Sequence, residues 1–215
     1  MPANSEIKRA RKILSALKKE YPVVKPALAY NSPFELLVST ILSAQCTDAR
    51  VNIVTKTLFR KYKKPDDYIN VSDEELQKDI YSTGFYKQKT KSIKNCCADL
   101  MRDYNGKVPN DFDNLIKLPG VGRKTASVVA CNAFWIPSIP VDTHVKRLSN
   151  LLGFINTNNV DKIEERLKEL FLKEDWINLS HWIISHGRKI CIARRPKCNA
   201  CVIGILCPSF NEVEK

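Results

Sequence analysis

The sequence predicts an all-α protein. Apolar residues recur at helical spacing along most of its length, capping signatures precede several of those stretches, and no segment sustains the period-two alternation of a half-buried strand. Residues 6–20 place Ile7, Ala10, Leu14 and Leu17 on one face of a first helix. Ser32-Pro33-Phe34-Glu35 is a capping box with proline in the first turn, and it opens the apolar stretch FELLVSTILSAQ. Thr47 or Asp48 can cap the next helix, which runs to about Tyr62. Ser72-Asp73-Glu74-Glu75 is a second capping box, and Gly84 follows the short helix it starts. Residues 86–104 form a long helix stopped at Asn105-Gly106. Helical patterns follow at 111–116, 122–134, 143–152, 160–172 and 176–189. There is no fixed-period repeat and no low-complexity tract, and most connections are short enough for compact packing.

The composition, 44% hydrophobic and 27% charged over 215 residues, is that of a globular chain and excludes general disorder. That length can bury a real core, as one large domain or two small ones. No apolar run approaches the ~18 residues of a membrane span, and the N-terminal stretch lacks the apolar region of a secretory signal. Lys and Arg number 35 against 23 Asp and Glu, a net charge of +12. Such an excess favours polyanionic partners, either nucleic acid or an anionic membrane surface. Between Trp176 and Asn211 there is no acidic residue, yet Arg188, Lys189, Arg194, Arg195 and Lys197 fall there. A basic cluster of this kind is equally readable as a solvated face.

Eight cysteines need an explanation. A reducing cytosol disfavours a disulfide framework. Cys46, Cys96, Cys97 and Cys131 are scattered through apolar or helical surroundings and are expected to be buried free thiols. The others fall as Cys191-x6-Cys198-x2-Cys201-x5-Cys207, in a tail too short and interrupted to build its own core. Four thiolates in one loop can close around a metal centre. Structural zinc prefers two short-spaced pairs separated by a longer insert. One C-x2-C flanked by longer arms suits an iron–sulfur cluster better, although this is not the common ferredoxin spacing. Spacing alone leaves both open.

A second signal lies at Leu118-Pro119-Gly120-Val121-Gly122-Arg123-Lys124-Thr125-Ala126. A short helix leads into a glycine turn and a second helix starts at once. Glycines let backbone N–H groups approach an anion, and the helix N-terminus adds unpaired donors and partial positive charge. Such a hairpin grips a phosphate without reading a base; the plainer reading is a turn between packed helices. Arg123 and Lys124 at the helix start favour phosphate. A lysine in the first turn opposes the helix dipole, which favours its free amine. A free amine beside a phosphodiester can attack a sugar carbon and form a Schiff base. Eighteen residues on, Pro140-Val141-Asp142-Thr143-His144 places Asp142 or Thr143 before a helix, where an N-cap is the ordinary role. A carboxylate serving Lys124 by stabilising positive charge on a sugar or moving a proton is the functional alternative.

LPGVGRKTA, VDTH and HGRKICIARRPKC-x2-C-x5-C, in this order, resemble bacterial and archaeal endonuclease III. The likeness extends to Leu42-Ser43-Ala44-Gln45-Cys46-Thr47-Asp48 and Thr83-Gly84-Phe85-Tyr86, and spans roughly residues 7–208. The wider helix-hairpin-helix glycosylase superfamily shares the hairpin and the aspartate; the lysine together with the cysteines singles out this branch. The resemblance implies two all-α lobes with a DNA groove between them. One is a six-helix barrel over 27–136 carrying the hairpin at about 111–134. The other is an iron–sulfur domain made of 1–26 and 137–215. It implies a bifunctional DNA glycosylase and AP lyase that flips a damaged pyrimidine out of duplex DNA. Lys124 would displace the base and cleave 3′ to the abasic site by β-elimination, with Asp142 stabilising charge. Gln45 would fill the space left by the base and Phe85 would wedge into the opposite strand. Gly120, Gly122 and Arg123 would hold phosphate, as would Arg194, Arg195 and Lys197. The four cysteines would carry a [4Fe–4S] cluster, and the hairpin carbonyls a monovalent cation.

Two positions depart from the family pattern: Cys46 stands where relatives often carry alanine, and Phe85 where some carry leucine. His181 and His186, five apart, do not share a helical face and are expected to be structural or phosphate-contacting. A cytoplasmic, nucleoid-associated prokaryotic monomer with no membrane partner is expected, with a nuclear or mitochondrial location left open. Two other functions stay open: a monofunctional mismatch or adenine glycosylase of the same fold, and a non-enzymatic DNA-binding or electron-transfer iron–sulfur protein. The first generally lacks the lysine, and the Lys124/Asp142 pairing argues against the second. Borohydride trapping on abasic DNA separates them from the lyase.

Overall fold

The computed structural model describes residues 2–210, and among these every regular element is helical. The chain divides into two compact units, one Pro26–Ile136 and the other formed by the described residues on either side of it. No helix among the described residues is long and apolar enough to cross a membrane.

In the 26–136 unit, α2 (Pro33–Leu42) is buried at every position from Leu36 to Leu42. A helix apolar all round belongs at the centre of its domain. Accordingly α2 packs against α3 (Asp48–Lys61), α6 (Tyr86–Tyr104) and α8 (Arg123–Phe134). Ser32 Oγ caps α2, accepting from Glu35 N at 3.1 Å. Glu35 reaches back to Asn31 N rather than to the cap itself, so the box closes one residue early. Thr47, not Asp48, caps α3. The helix α4 (Pro65–Asn70) carries no periodicity that six residues could display. Its signals are Pro65 in the first turn and Asp67, whose carboxylate accepts from Lys63 N and Lys64 N. It packs against α6, as does α5 (Asp73–Ile80), which Ser72 caps. The hairpin follows, with α7 (Phe112–Leu115) and then α8. Leu37, Leu42, Leu76, Leu100 and Leu115 are completely buried in this core with Tyr68, each leucine worth about 1.5–3 kcal/mol.

The second unit holds α1 (Asn4–Glu20), α9 (Thr143–Leu151), α10 (Val160–Leu170) and α11 (Trp176–Lys189). α11 packs against α1 and α9 over Ile13, Leu17, Val145, Leu148, Leu179 and Ile183. After α11 the chain makes only single 3-10 turns, Cys198–Ala200 and Gly204–Leu206. Within 191–210 only Ile203 and Gly204 are buried, so apolar burial contributes little to ordering this segment. Cys96, Cys97 and Cys131 are buried thiols outside any disulfide, and burial pushes Cys96 up to about 12. Cys46 departs from expectation. It lies on the turn after α2, where the chain has left the core, and is only half-buried.

Candidate active site

The hairpin starts where Asp111 caps α7, accepting from Asn114 N at 2.8 Å. The turn is closed by Val121 N donating to Leu118 O at 3.0 Å. Gly120 and Gly122 have different reasons to be glycine. Gly120 has φ +77, and a Cβ there would lie 2.7 Å from Ser92 Cβ on α6. The fold itself therefore requires it. Gly122 has an ordinary extended backbone (φ −83, ψ 174), and a Cβ there would meet no heavy atom within 4 Å. Nothing in the chain's own packing requires glycine at this position. It is the N-cap of α8, and no side chain caps that helix. The first-turn donors of α8 therefore sit beside open space, as an anion needs. Lys124, the second residue of α8, is exposed. The Arg123 guanidinium lies over the Phe112 ring, 5.4 Å from its centroid.

Asp142 belongs to the other unit, where it is the N-cap of α9. One oxygen, Oδ1, accepts from Val145 N at 2.8 Å, so the ordinary cap role is real. The cap fixes the carboxylate at a half-exposed helix start. His181 feels its charge, which opposes the stronger lowering of His181 by burial.

Gln45 and Phe85 share an unusual backbone. Both are exposed and both lie in the left-handed region, at φ +52 and φ +49. Non-glycine residues there are uncommon, and for a bulky side chain they mark strain. Gln45 is on the turn after α2, and Phe85 is the N-cap of α6. The two turns are joined by a residue the sequence did not single out. Lys89 is 4% exposed, and its Nζ donates at 2.8 Å both to Leu42 O and to Thr83 O. No motif marks it; lysine at a helical position normally implies a solvated surface.

Cys191, Cys198, Cys201 and Cys207 line one cavity of about 210 Å³, together with Arg147 and His186. Among the described residues, no three His, Cys, Asp or Glu side chains converge on a single metal position. The thiols stand instead around the cavity wall. Burial, and after it the charges of the other cysteines, raise the thiols of Cys201 and Cys207. Four thiolates in such a place would need positive counter-charge of the kind a metal group supplies. Arg147 lines the cavity, with Nη2 donating to Cys191 O at 2.6 Å and Nη1 3.5 Å from Cys191 Sγ. His186 is structural: it is buried, its Nδ1 is 3.2 Å from Tyr21 Oη, and its Nε2 is 3.4 Å from Cys201 Sγ. Burial, then Arg147, lowers it to about 4, so it is neutral near pH 7. Arg194, Arg195 and Lys197 are all exposed on the loop between Cys191 and Cys198, which Lys197 N ties back to Ile190 O at 2.9 Å.

Residues 38–173 match the family described as the HhH-GPD superfamily of base excision DNA repair proteins. Endonuclease III of Bacillus subtilis (strain 168) is 47% identical over 210 residues, covering 97% of this chain and 96% of that protein. The chain belongs to the endonuclease III branch of this superfamily. Members of the branch are DNA glycosylases and AP lyases of base excision repair, and this chain is such an enzyme. A solved endonuclease III–DNA covalent intermediate, trapped as an estranged-adenine complex, superposes with a TM-score of 0.94 at 45% identity, covering all of both chains. A non-covalent endonuclease III–DNA complex superposes at 0.93 with 46% identity, over 99% of this chain and 98% of that one.

Proposed function

We propose that this enzyme excises oxidised or otherwise damaged pyrimidines from duplex DNA and cleaves the strand 3′ to the abasic site, with Lys124 as nucleophile. The observation that carries the reading is an exposed amine in the first turn of a helix whose N-terminus is uncapped and whose N-cap glycine faces open space. The α8 N–H groups and Arg123 hold a phosphate of the damaged strand. With the nucleotide turned out of the stack, Lys124 Nζ attacks C1′ of the deoxyribose. The glycosidic bond breaks, its electron pair leaves with the base, and the base takes up a proton. Opening of the sugar leaves a protonated Schiff base between Nζ and C1′. This makes the 2′ proton acidic; its removal drives the electron pair toward C3′ and expels the 3′ phosphate. Asp142 stabilises the positive charge developing on the sugar and assists the proton transfers.

Gln45 takes the place of the extruded base, and Phe85 inserts as an apolar wedge into the opposite strand. Cys191, Cys198, Cys201 and Cys207 hold a [4Fe–4S] cluster. Zinc would draw four sulfurs to about 2.3 Å from one point. Thiols spaced around a cavity suit a group with four separate metal positions instead. The cluster, when bound, cross-links the loop and neutralises its thiolates. Arg194, Arg195 and Lys197 are then held in a fixed loop for backbone phosphates, while hairpin carbonyls hold a monovalent cation.

Borohydride reduction on duplex DNA with an abasic site tests the nucleophile. Wild-type protein should become covalently attached to the DNA. Lys124→Gln should lose cross-linking and strand cleavage while keeping much of its DNA affinity. Undiminished cross-linking by that variant would remove Lys124 from this role.

A further inference from the structure

The buried ammonium of Lys89 takes no part in the chemistry above. An unpaired buried charge is costly, so such a lysine persists only where its partners hold it. Its two partners are the carbonyls from which the two unusual turns depart. Leu42 is the last residue of α2, three before Gln45; Thr83 is two before Phe85. Lys89 itself stands one turn into α6, whose N-cap is Phe85. A single charged group thus ties together the bases of both left-handed segments. Asn105 and Trp135, the other non-glycine residues with positive φ among those described, are helix C-caps, where that conformation is common. Gln45 and Phe85 lack that ordinary explanation and need support from their surroundings.

We propose that Lys89 is a positioning residue for base extrusion: by bonding Leu42 O and Thr83 O it holds the Gln45 and Phe85 turns at one separation, so that the two side chains enter the duplex as a pair. The inference rests on the reading of Gln45 and Phe85 given above. Charge-assisted hydrogen bonds are the strong ones, and two of them from one buried donor leave the turns little freedom to slide past each other. Removing the ammonium deletes neither Gln45 nor Phe85 but lets the two turns move separately.

Lys89→Met keeps the length of the side chain and deletes its donors. It should slow excision of a damaged pyrimidine from duplex by about tenfold to a hundredfold, the range one charge-assisted hydrogen bond commands. The loss should fall on kcat rather than KM. Cross-linking to an abasic site in single-stranded DNA, which has neither a base to replace nor an opposite strand to wedge, should be unchanged. Lys89→Arg, which keeps charge and donors, should recover part of the duplex activity. Gln45→Ala and Phe85→Ala should each cost less in the Lys89→Met background than in wild type. Equal losses on duplex and single-stranded substrates would mean that Lys89 serves folding alone and would overturn the proposal. So would full additivity in those cycles. Should Lys89→Met not fold, Lys89→Arg decides: a duplex-specific loss supports the pairing, and an equal loss on both substrates ends it. If Gln45→Ala and Phe85→Ala leave duplex excision intact in wild type, the reading beneath the proposal has failed, a result distinct from failure of the lysine's role.

Discussion

Gly120 and Gly122 sit two residues apart in one turn, and alanine at each should do opposite things. At Gly120 the new side chain meets two penalties. The backbone at φ +77 is left-handed, costing about 1–2 kcal/mol for an L-residue. The Cβ would press to 2.7 Å from Ser92 Cβ, and overpacking of this kind costs about 1–3 kcal/mol. The sum, about 2–5 kcal/mol, corresponds to a Tm lower by roughly 4–20 °C for a chain of this size. At Gly122 neither penalty exists. Alanine is a poorer N-cap by about 0.5–1 kcal/mol, and it restricts the unfolded chain by about the same amount. Stability should therefore stay within about 0.5 kcal/mol, a Tm shift of ~2 °C or less. The methyl group would instead occupy the space a phosphate oxygen uses to reach the α8 donors. Losing one charge-assisted hydrogen bond there weakens binding by about 10- to 150-fold. Thermal melts by circular dichroism and anisotropy titrations with a duplex carrying a non-cleavable abasic analogue read both quantities. Wild-type affinity in Gly122→Ala, or a Tm loss as large as that of Gly120→Ala, would refute the assignment of this turn to phosphate.

Asp142→Asn should keep the cap, since Asn serves α9 about as well as Asp, and leave Tm nearly unchanged while excision falls by about a hundredfold or more; intact excision would reduce Asp142 to its cap. Replacing Arg194, Arg195 and Lys197 together by Ala should flatten the log–log salt dependence of DNA affinity by about two to three phosphate contacts, equally for damaged and undamaged duplexes. Iron analysis of the same protein, expected near four irons per chain as for a thiolate-held [4Fe–4S] cluster, keeps cluster loss from being mistaken for charge loss; an unchanged slope with iron intact would leave the loop facing solvent.

Most helices were legible because they carry either a capping signature or more than two turns of periodicity. Tyr86–Tyr104 is bounded as its pattern and the Asn105-Gly106 stop predict. Pro65–Asn70 was missed, because one and a half turns cannot show a period and its N-cap, Lys64, is not a capping residue type. The candidate site divides along the same line. Lys124, Asp142 and the four cysteines belong to compact motifs, so type and spacing point to chemistry. Lys89, Arg147 and Arg9 act on residues distant in sequence: Lys89 on Leu42, Arg147 on Cys191, and Arg9 on Leu152 and Leu206. A lysine or arginine on an amphipathic helix carries no sign of which distant carbonyl it will meet. The left-handed backbone of Gln45 and Phe85 is equally silent, since neither residue type prefers it.

The way a helix begins bears on both folding and function. Ser32, Thr47, Ser72, Asp111 and Asn159 each accept a hydrogen bond from their own helix's first turn. Those helices satisfy their N-terminal donors internally, as burial and marginal stability favour. α6 and α8, like α1, α4 and α11, begin without a side-chain cap; Phe85 and Gly122 are the two of these N-caps proposed to meet DNA. Such a start forgoes about 0.5–2 kcal/mol that a serine or aspartate would contribute. At Gly122 a capping carboxylate would also place negative charge where the phosphate is proposed to bind. At Phe85 a small polar cap would remove the proposed wedge. Asp142 resolves the same conflict in another way. Its carboxylate caps α9 through one oxygen, so the bond that stabilises the helix also fixes the orientation of the group proposed to steady the sugar. At Phe85 and Gly122 an uncapped start leaves room for the proposed DNA contacts, and at Asp142 the cap itself carries the charge that the proposed chemistry needs.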